Sequence, residues 1–404
     1  MKNALPLLRA VFLGLLLWTG TGCEDYFGEK TNLDFIEVPE YSDRQIAYVP
    51  IQPALTGFVE PVDLCIGYDQ LLYVVDRATE DVVCLDESGR EMARRFVQGA
   101  RAVAQDRRFD LLVAGTKTDT VGGVVYDLAC IYRFRLTGTG GYGLETAESM
   151  APIVHPFYFK STFSSGDALV EFHDIAVSGD NSNAPLNNQF YVSRTGPSAN
   201  NAGLGPDDAV LLFDNEGVFI SPVLVTTSSG QFNDYFRGAA GLASLTQPPQ
   251  ISAQSTRDFW FTSTDENNFF KVQYIEYAES EFGAEFRPKI YPPDTTLSRR
   301  ALYDPNRFAE PLHLTYAGDG TNYLFVSDAA RDSVYQFSGN GLEGVAPPPG
   351  SGEKKYAIAS FGGTGTGPTQ FNRPMGLAYW NQILYVCDSG NGRILRFKLT
   401  LDFD

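Results

Sequence analysis

From residue 61 to the C-terminus, apolar positions fall in short runs and the positions between them are turn formers. The last group is the plainest. Pro374–Tyr379 leads into Trp380-Asn381-Gln382, then Ile383–Asp388, a Ser389-Gly390-Asn391-Gly392 turn, and Arg393–Phe397. Runs of four to six residues, rich in β-branched, Leu and Tyr side chains and bounded by Gly, Asn or Asp, predict strands. The turns are too tight for helices.

The triplet recurs. Pro311–Tyr316, Tyr323–Asp328 and Ser333–Phe337 repeat it well, as do Pro61–Ile66, Leu71–Asp76 and Asp81–Leu85. Three weaker copies start at Arg101–Ala104, Asp174–Val177 and Gly241–Leu245. Their later strands are Leu111–Ala114 and Ala129–Phe134, Phe190–Ser193 and Ala209–Phe213, and Phe259–Thr262 and Phe269–Tyr274. A fourth strand is predicted at Glu91–Phe96, Pro156–Lys160, Val218–Val225, Phe286–Tyr291 and Tyr356–Phe361. The sixth unit has no room for one before Asp404. Gln45–Pro50 followed by Gly57–Pro61 parallels Lys355–Phe361 followed by Gln370–Pro374, so the N-terminal strand is expected to complete the last unit. Such closure protects the edges of a ring.

Three patterns in the last unit closely resemble the NHL repeat: Pro-x-Gly-Leu-Ala at residues 374–378, Leu-Tyr-Val-x-Asp at 384–388 and Asn-x-Arg-Ile-x-x-Phe at 391–397. The resemblance implies an all-β fold over residues 45–404, a six-bladed β-propeller of four-stranded blades. An aromatic content of 13% suits the wedges between blades.

The N-terminus has a separate logic. Lys2 and Arg9 precede the apolar run Ala10–Trp18, then small residues lead to Cys23. The run is shorter than the roughly 20 residues a bilayer span needs, and the layout is that of an export signal. A small residue before cysteine resembles the bacterial lipoprotein signal, although Gly20 stands where that signal usually carries Leu. Residues 1–22 are therefore expected to be a signal peptide, and residues 23–44 an acidic tether lipidated on Cys23. That places an exported chain on a membrane through its lipid. The acidic residues after Cys23 resemble surface-export signals of outer-membrane lipoproteins, so the outer membrane is the expected location, on its periplasmic or cell-surface face.

A net charge of −18 repels nucleic acid and anionic headgroups, so the RNA binding of some NHL propellers is not expected. Cys65, Cys84, Cys130 and Cys387 form no CxxC pair, which argues against a metal cluster and leaves buried thiols or disulfides open.

Candidate chemistry comes from aligning the inner strands on Gly376, which selects Asp63, Arg101, Asp174, Gly241 and His313. In a propeller these positions meet at the mouth of the central channel. Two arrangements follow. Asp63, Asp174 and His313 form a ligand or metal pocket for calcium or zinc, with Arg101 as an anion clamp and His313 as a candidate base. Alternatively the charges only wet a solvated channel. Resemblance to the propeller lactonases and peptide-amidating lyases implies a metal at that mouth. His173 is expected to pack inside a blade and His155, before Pro156, to be exposed. Asp76, Asp328 and Asp388 look like a catalytic series but stand at strand-to-turn steps, where a carboxylate caps backbone N–H groups. The glycine-rich Gly362–Gly367 is a connection between blades and no phosphate loop.

The expected function is that of a monomeric binding or scaffold lipoprotein of the cell envelope, holding a protein, peptide or glycan. The alternative is a metal-dependent lyase or lactonase working at Asp63, Asp174 and His313.

Overall fold

The computed structural model describes residues 46–402, apart from 180–186, 198–205, 233, 247, 249–255, 282 and 290–299. The predicted signal peptide, Cys23 and the whole tether lie outside the described residues.

Six sheets, antiparallel except for one parallel pairing in blade four, succeed one another around a ring, each with its first strand innermost. The inner strands of blades one to six are Pro61–Ile66, Ala102–Gln105, Glu171–Val177, Ala239–Ser244, Pro311–Tyr316 and Pro374–Trp380. Second strands are buried almost throughout, as in Leu72–Asp76, Phe259–Ser263 and Leu324–Asp328. They are sandwiched by neighbouring blades, so they read as continuous rather than alternating apolar runs. Aromatic rings fill the wedges: Tyr191 lies 4.5 Å from Phe259, and Phe325 stacks on Tyr379 at 5.2 Å. Each such pair contributes about 0.5–1.5 kcal/mol beyond its area burial.

The outermost strands depart most from expectation. Pro156–Lys160 is not a strand; Ile153–Val154 fills that place and Lys160–Thr162 is a 3-10 turn. Proline supplies no N–H for the ladder there. Val218–Val225 splits, with Phe219–Pro222 closing blade three and Val225–Thr227 pairing in parallel with Gly283–Lys289 of blade four. Blade five ends in the short Phe361–Gly362. Blade two carries an extended hairpin, Asp110–Val121 and Val124–Arg135, turned by Gly122 and Gly123, both at positive φ. Two consecutive positive φ angles are what this tightest hairpin turn requires.

Tyr48–Leu55 lies antiparallel against Arg393–Leu399, in a register running from Tyr48 opposite Leu399 to Leu55 opposite Ile394. This N-terminal strand is the fourth of blade six.

The repeated aspartates are caps. Asp76 accepts from the backbone N–H groups of Val59 (2.7 Å) and Glu60 (3.0 Å), and Asp328 from those of Ala309 (2.8 Å) and Glu310 (3.0 Å). Asp388 accepts from Asn372 N–H at 2.7 Å and from Arg393 Nε at 2.7 Å. Each cap fixes the segment arriving at its own blade's inner strand, and so sets where that strand begins.

Candidate functional site

The caps hold the inner strands in register, and a bulge in most of them turns the third or fourth side chain into the channel. Asp63, Asp174 and His313, from blades one, three and five, converge there. His313 Nε2 lies 3.1 Å from Asp63 Oδ1 and 3.3 Å from Asp174 Oδ2.

These groups are not solvated. Asp63 and Asp174 are each 3% exposed. Asp63 accepts from Leu64 N–H at 2.8 Å through Oδ1 and from Val103 N–H of blade two at 2.7 Å through Oδ2. Asp174 repeats this with Ile175 (2.7 Å) and with Leu242 of blade four (2.6 Å). His313 Nδ1 accepts from Leu377 N–H of blade six at 3.2 Å. Each odd-numbered blade therefore reaches across to a backbone N–H of the next even-numbered blade.

The even-numbered blades carry small residues at the matching place. A Cβ on Gly376 would lie 2.6 Å from Asp63 Cα, and one on Gly241 would lie 2.8 Å from His313 Cα. In blade two the matching residue is Ala102, one before Val103, and not Arg101. This corrects the sequence alignment by one residue. Blade two has no capping aspartate to anchor the count; Gly115 stands in that position, just after the Ala102–Ala114 pair. Arg101 instead points to the outer mouth and forms a two-pronged pair with Glu171, at 2.9 and 3.1 Å.

Charge in the cluster is coupled. Burial pushes the Asp174 carboxyl up to about 7; His313 pulls against this and Asp63 adds to it. Burial alone would lower His313, but the carboxylates of Asp174 and Asp63 outweigh it and bring the imidazole to about 9. The cluster thus retains a proton at neutral pH. In the neutral ring, reached above about pH 9, the Leu377 N–H takes the Nδ1 lone pair and the remaining proton sits on Nε2, between the two carboxylates.

The cluster divides two spaces. On its outer side a hollow is lined by Arg77, Arg101, His173, Leu312 and Met375. On its inner side the channel is lined mainly by apolar residues such as Leu64, Ile175, Leu377 and Tyr379. His173, expected inside a blade, lines the outer hollow and bonds Thr195 Oγ1 at 2.6 Å. Burial lowers its pKa. Arg77 also escaped the sequence reading; it follows the Asp76 cap and pairs with Glu60. His155, expected exposed, is 1% exposed with Nε2 3.1 Å from the Asp167 carbonyl, and burial lowers its pKa to about 4. All four cysteines of the propeller are free thiols; burial raises Cys84 and Cys130 to about 12.

Residues 371–397, the first two hairpin strands of blade six and most of the third, match the NHL repeat model. The last blade thus matches the NHL repeat. Its Gly376 faces the cluster and its Asp388 caps the blade, so two positions of the NHL pattern have direct structural roles. No curated protein sequence matches the chain. Among solved structures it is similar to a gluconolactonase from Xanthomonas campestris (11% identity, 86% of this chain and 88% of that one, TM-score 0.46). It is likewise similar to virginiamycin B lyase from Staphylococcus aureus (10%, 87% and 99%, 0.42). An auxiliary nutrient binding protein from Bacteroides ovatus is similar as well (12%, 88% and 77%, 0.49). Such likenesses concern the course of the chain and say nothing of the chemistry at the propeller's mouth.

Proposed function

We propose that this chain is an exported lipoprotein, lipidated on Cys23 and held on the cell envelope, whose propeller binds a protein, peptide or glycan. The observation that carries the binding reading is the internal use of the mouth cluster. Both oxygens of Asp63, both of Asp174 and Nδ1 of His313 accept backbone N–H groups. A general base must offer a lone pair to its substrate; each of these carboxylate oxygens already accepts a backbone N–H, and His313 Nε2 lies against both carboxylates.

The competing reading is a metal-dependent lyase or lactonase. It draws on the ligand atoms of Asp63, Asp174 and His313, which lie within 4.8 Å of one another. The residues do not fit a metal as they stand. A metal at Nε2 would need that nitrogen's lone pair and would move the hydrogen to Nδ1, against Leu377 N–H.

The test is a 15N titration of the histidines of the purified protein, with and without calcium or zinc. The chain has three histidines, which keeps assignment simple. The expected result is a His313 midpoint unchanged by metal and, above that midpoint, a shift typical of a lone pair at Nδ1. A midpoint lowered by either metal, with coordination at Nε2, would overturn the binding reading in favour of the enzyme.

A further inference from the structure

The seam between blades four and five is not filled to its end. A cleft of about 260 Å³ opens there, lined by Trp260, Tyr274 and Lys289 of blade four and by Tyr316, Asn322 and Ser338 of blade five. Tyr316 ends the inner strand that starts at the mouth, and Asn322 lies in the turn after it. The cleft therefore opens on the face opposite the mouth.

Its walls are aromatic and held in place. Trp260 and Tyr274 are cross-strand partners with ring centroids 4.8 Å apart. The Tyr274 hydroxyl donates to Asp258, and that of Tyr316 to Asn322. Trp260 is 7% exposed, yet its indole N–H has no hydrogen-bond partner among the described residues. A buried tryptophan ordinarily finds an acceptor, and a donor left without one costs about 1–3 kcal/mol.

We propose that this cleft binds a neutral saccharide. Aromatic faces pack against the C–H face of a pyranose ring, while hydroxyl and ring oxygens supply the acceptor that the Trp260 N–H lacks. The Asn322 amide, the Ser338 hydroxyl and the Lys289 ammonium are suited to sugar hydroxyls. None of the six residues is a carboxylate, which disfavours a cationic ligand. Lys289 Nζ already lies 3.6 Å from the Glu276 carboxylate, so its charge is partly offset and a neutral sugar is favoured over an acidic one. The proposal narrows the binding reading to glycans, but it concerns other residues on the other face.

The experiment is calorimetry and tryptophan emission on the full chain in detergent. The probes are α-1,4- and β-1,4-linked glucose hexamers, β-1,4-linked mannose hexamers, an oligogalacturonate and an unrelated decapeptide. At least one neutral hexamer is expected to bind and to shift the emission. Trp260→Phe, which keeps an aromatic wall and removes the N–H, is expected to weaken that binding about tenfold or more. Asn322→Ala is expected to weaken it several-fold, which keeps the test decisive if the first variant folds poorly. Absence of binding by every neutral hexamer, preference for the uronate or the peptide, or binding unchanged in both cleft variants would overturn the proposal. None of those results would alter the His313 titration, so the two readings fail separately.

Discussion

At the scale of single residues, the mouth cluster works as a set of braces whose cost shows in what may replace its neighbours. Gly376 and Gly241 are small because a backbone passes where their Cβ would stand. Gly376→Ala is expected to destabilise the domain by about 1–3 kcal/mol, the usual cost of overpacking, measured by urea unfolding. Protonation gives a second test. The folded chain holds protons on Asp174 up to about pH 7 and on His313 up to about pH 9, against ordinary values of 3.8 and 6.5. The folded state therefore binds more protons than the unfolded state across that window. The cluster's contribution is full below about pH 4 and falls as pH rises through 7 and then 9. Asp174→Asn is expected to flatten the loss between pH 4 and 7, read from melting temperatures in matched buffers; an unchanged slope would remove Asp174 from the account. The sequence placed Asp63, Asp174 and His313 correctly because their inner strands count back from recognisable second strands. It misplaced Arg101, where blade two offers only Gly115, and neither of its two arrangements included the N–H groups of the next blade, which no sequence pattern reports.

At the scale of elements, legibility follows the number of neighbours. Inner and second strands are pressed between blades, so their composition is constrained and their limits were readable to within one or two residues at Pro311–Tyr316 and Leu324–Asp328. An outermost strand pairs on one side and faces solvent. Glu91–Phe96 is largely exposed, and Ile153–Val154 and Phe361–Gly362 are two residues long, so little in the sequence marks them. The N-terminal strand is an outer strand with a larger duty, since it pairs with Arg393–Leu399 from the far end of the chain. Deleting residues 48–55 is expected to lower the melting temperature of the whole domain, because it uncovers an edge and buried Tyr48 and Leu55 lose their places. Deleting residues 24–40 is expected to leave it unchanged. Equal melting temperatures in both deletions would refute the bracing role.

For the whole molecule, attachment and architecture are separable. Cys23→Ser is expected to move the protein out of the membrane fraction or to stop its processing, and retention after high-salt and carbonate washes would exclude the lipid. The architecture itself is less uniform than a sixfold ring. Asp63 ties blade one to two, Asp174 three to four, and His313 five to six, while among the described residues these side-chain-to-N–H ties are not repeated at the alternate seams. These ties at the hub thus have threefold rather than sixfold order and join the blades in three couples. The cleft lined by Trp260 and Tyr316 lies on one of the alternate seams, between two couples. Local opening should then follow the couples. The amides of Val103, Leu242 and Leu377, held by side chains rather than by a neighbouring strand's carbonyl, become reporters of each couple's integrity. In hydrogen exchange, Asp174→Asn is expected to speed Leu242 while leaving Val103 slow, so that one couple loosens and its neighbours do not.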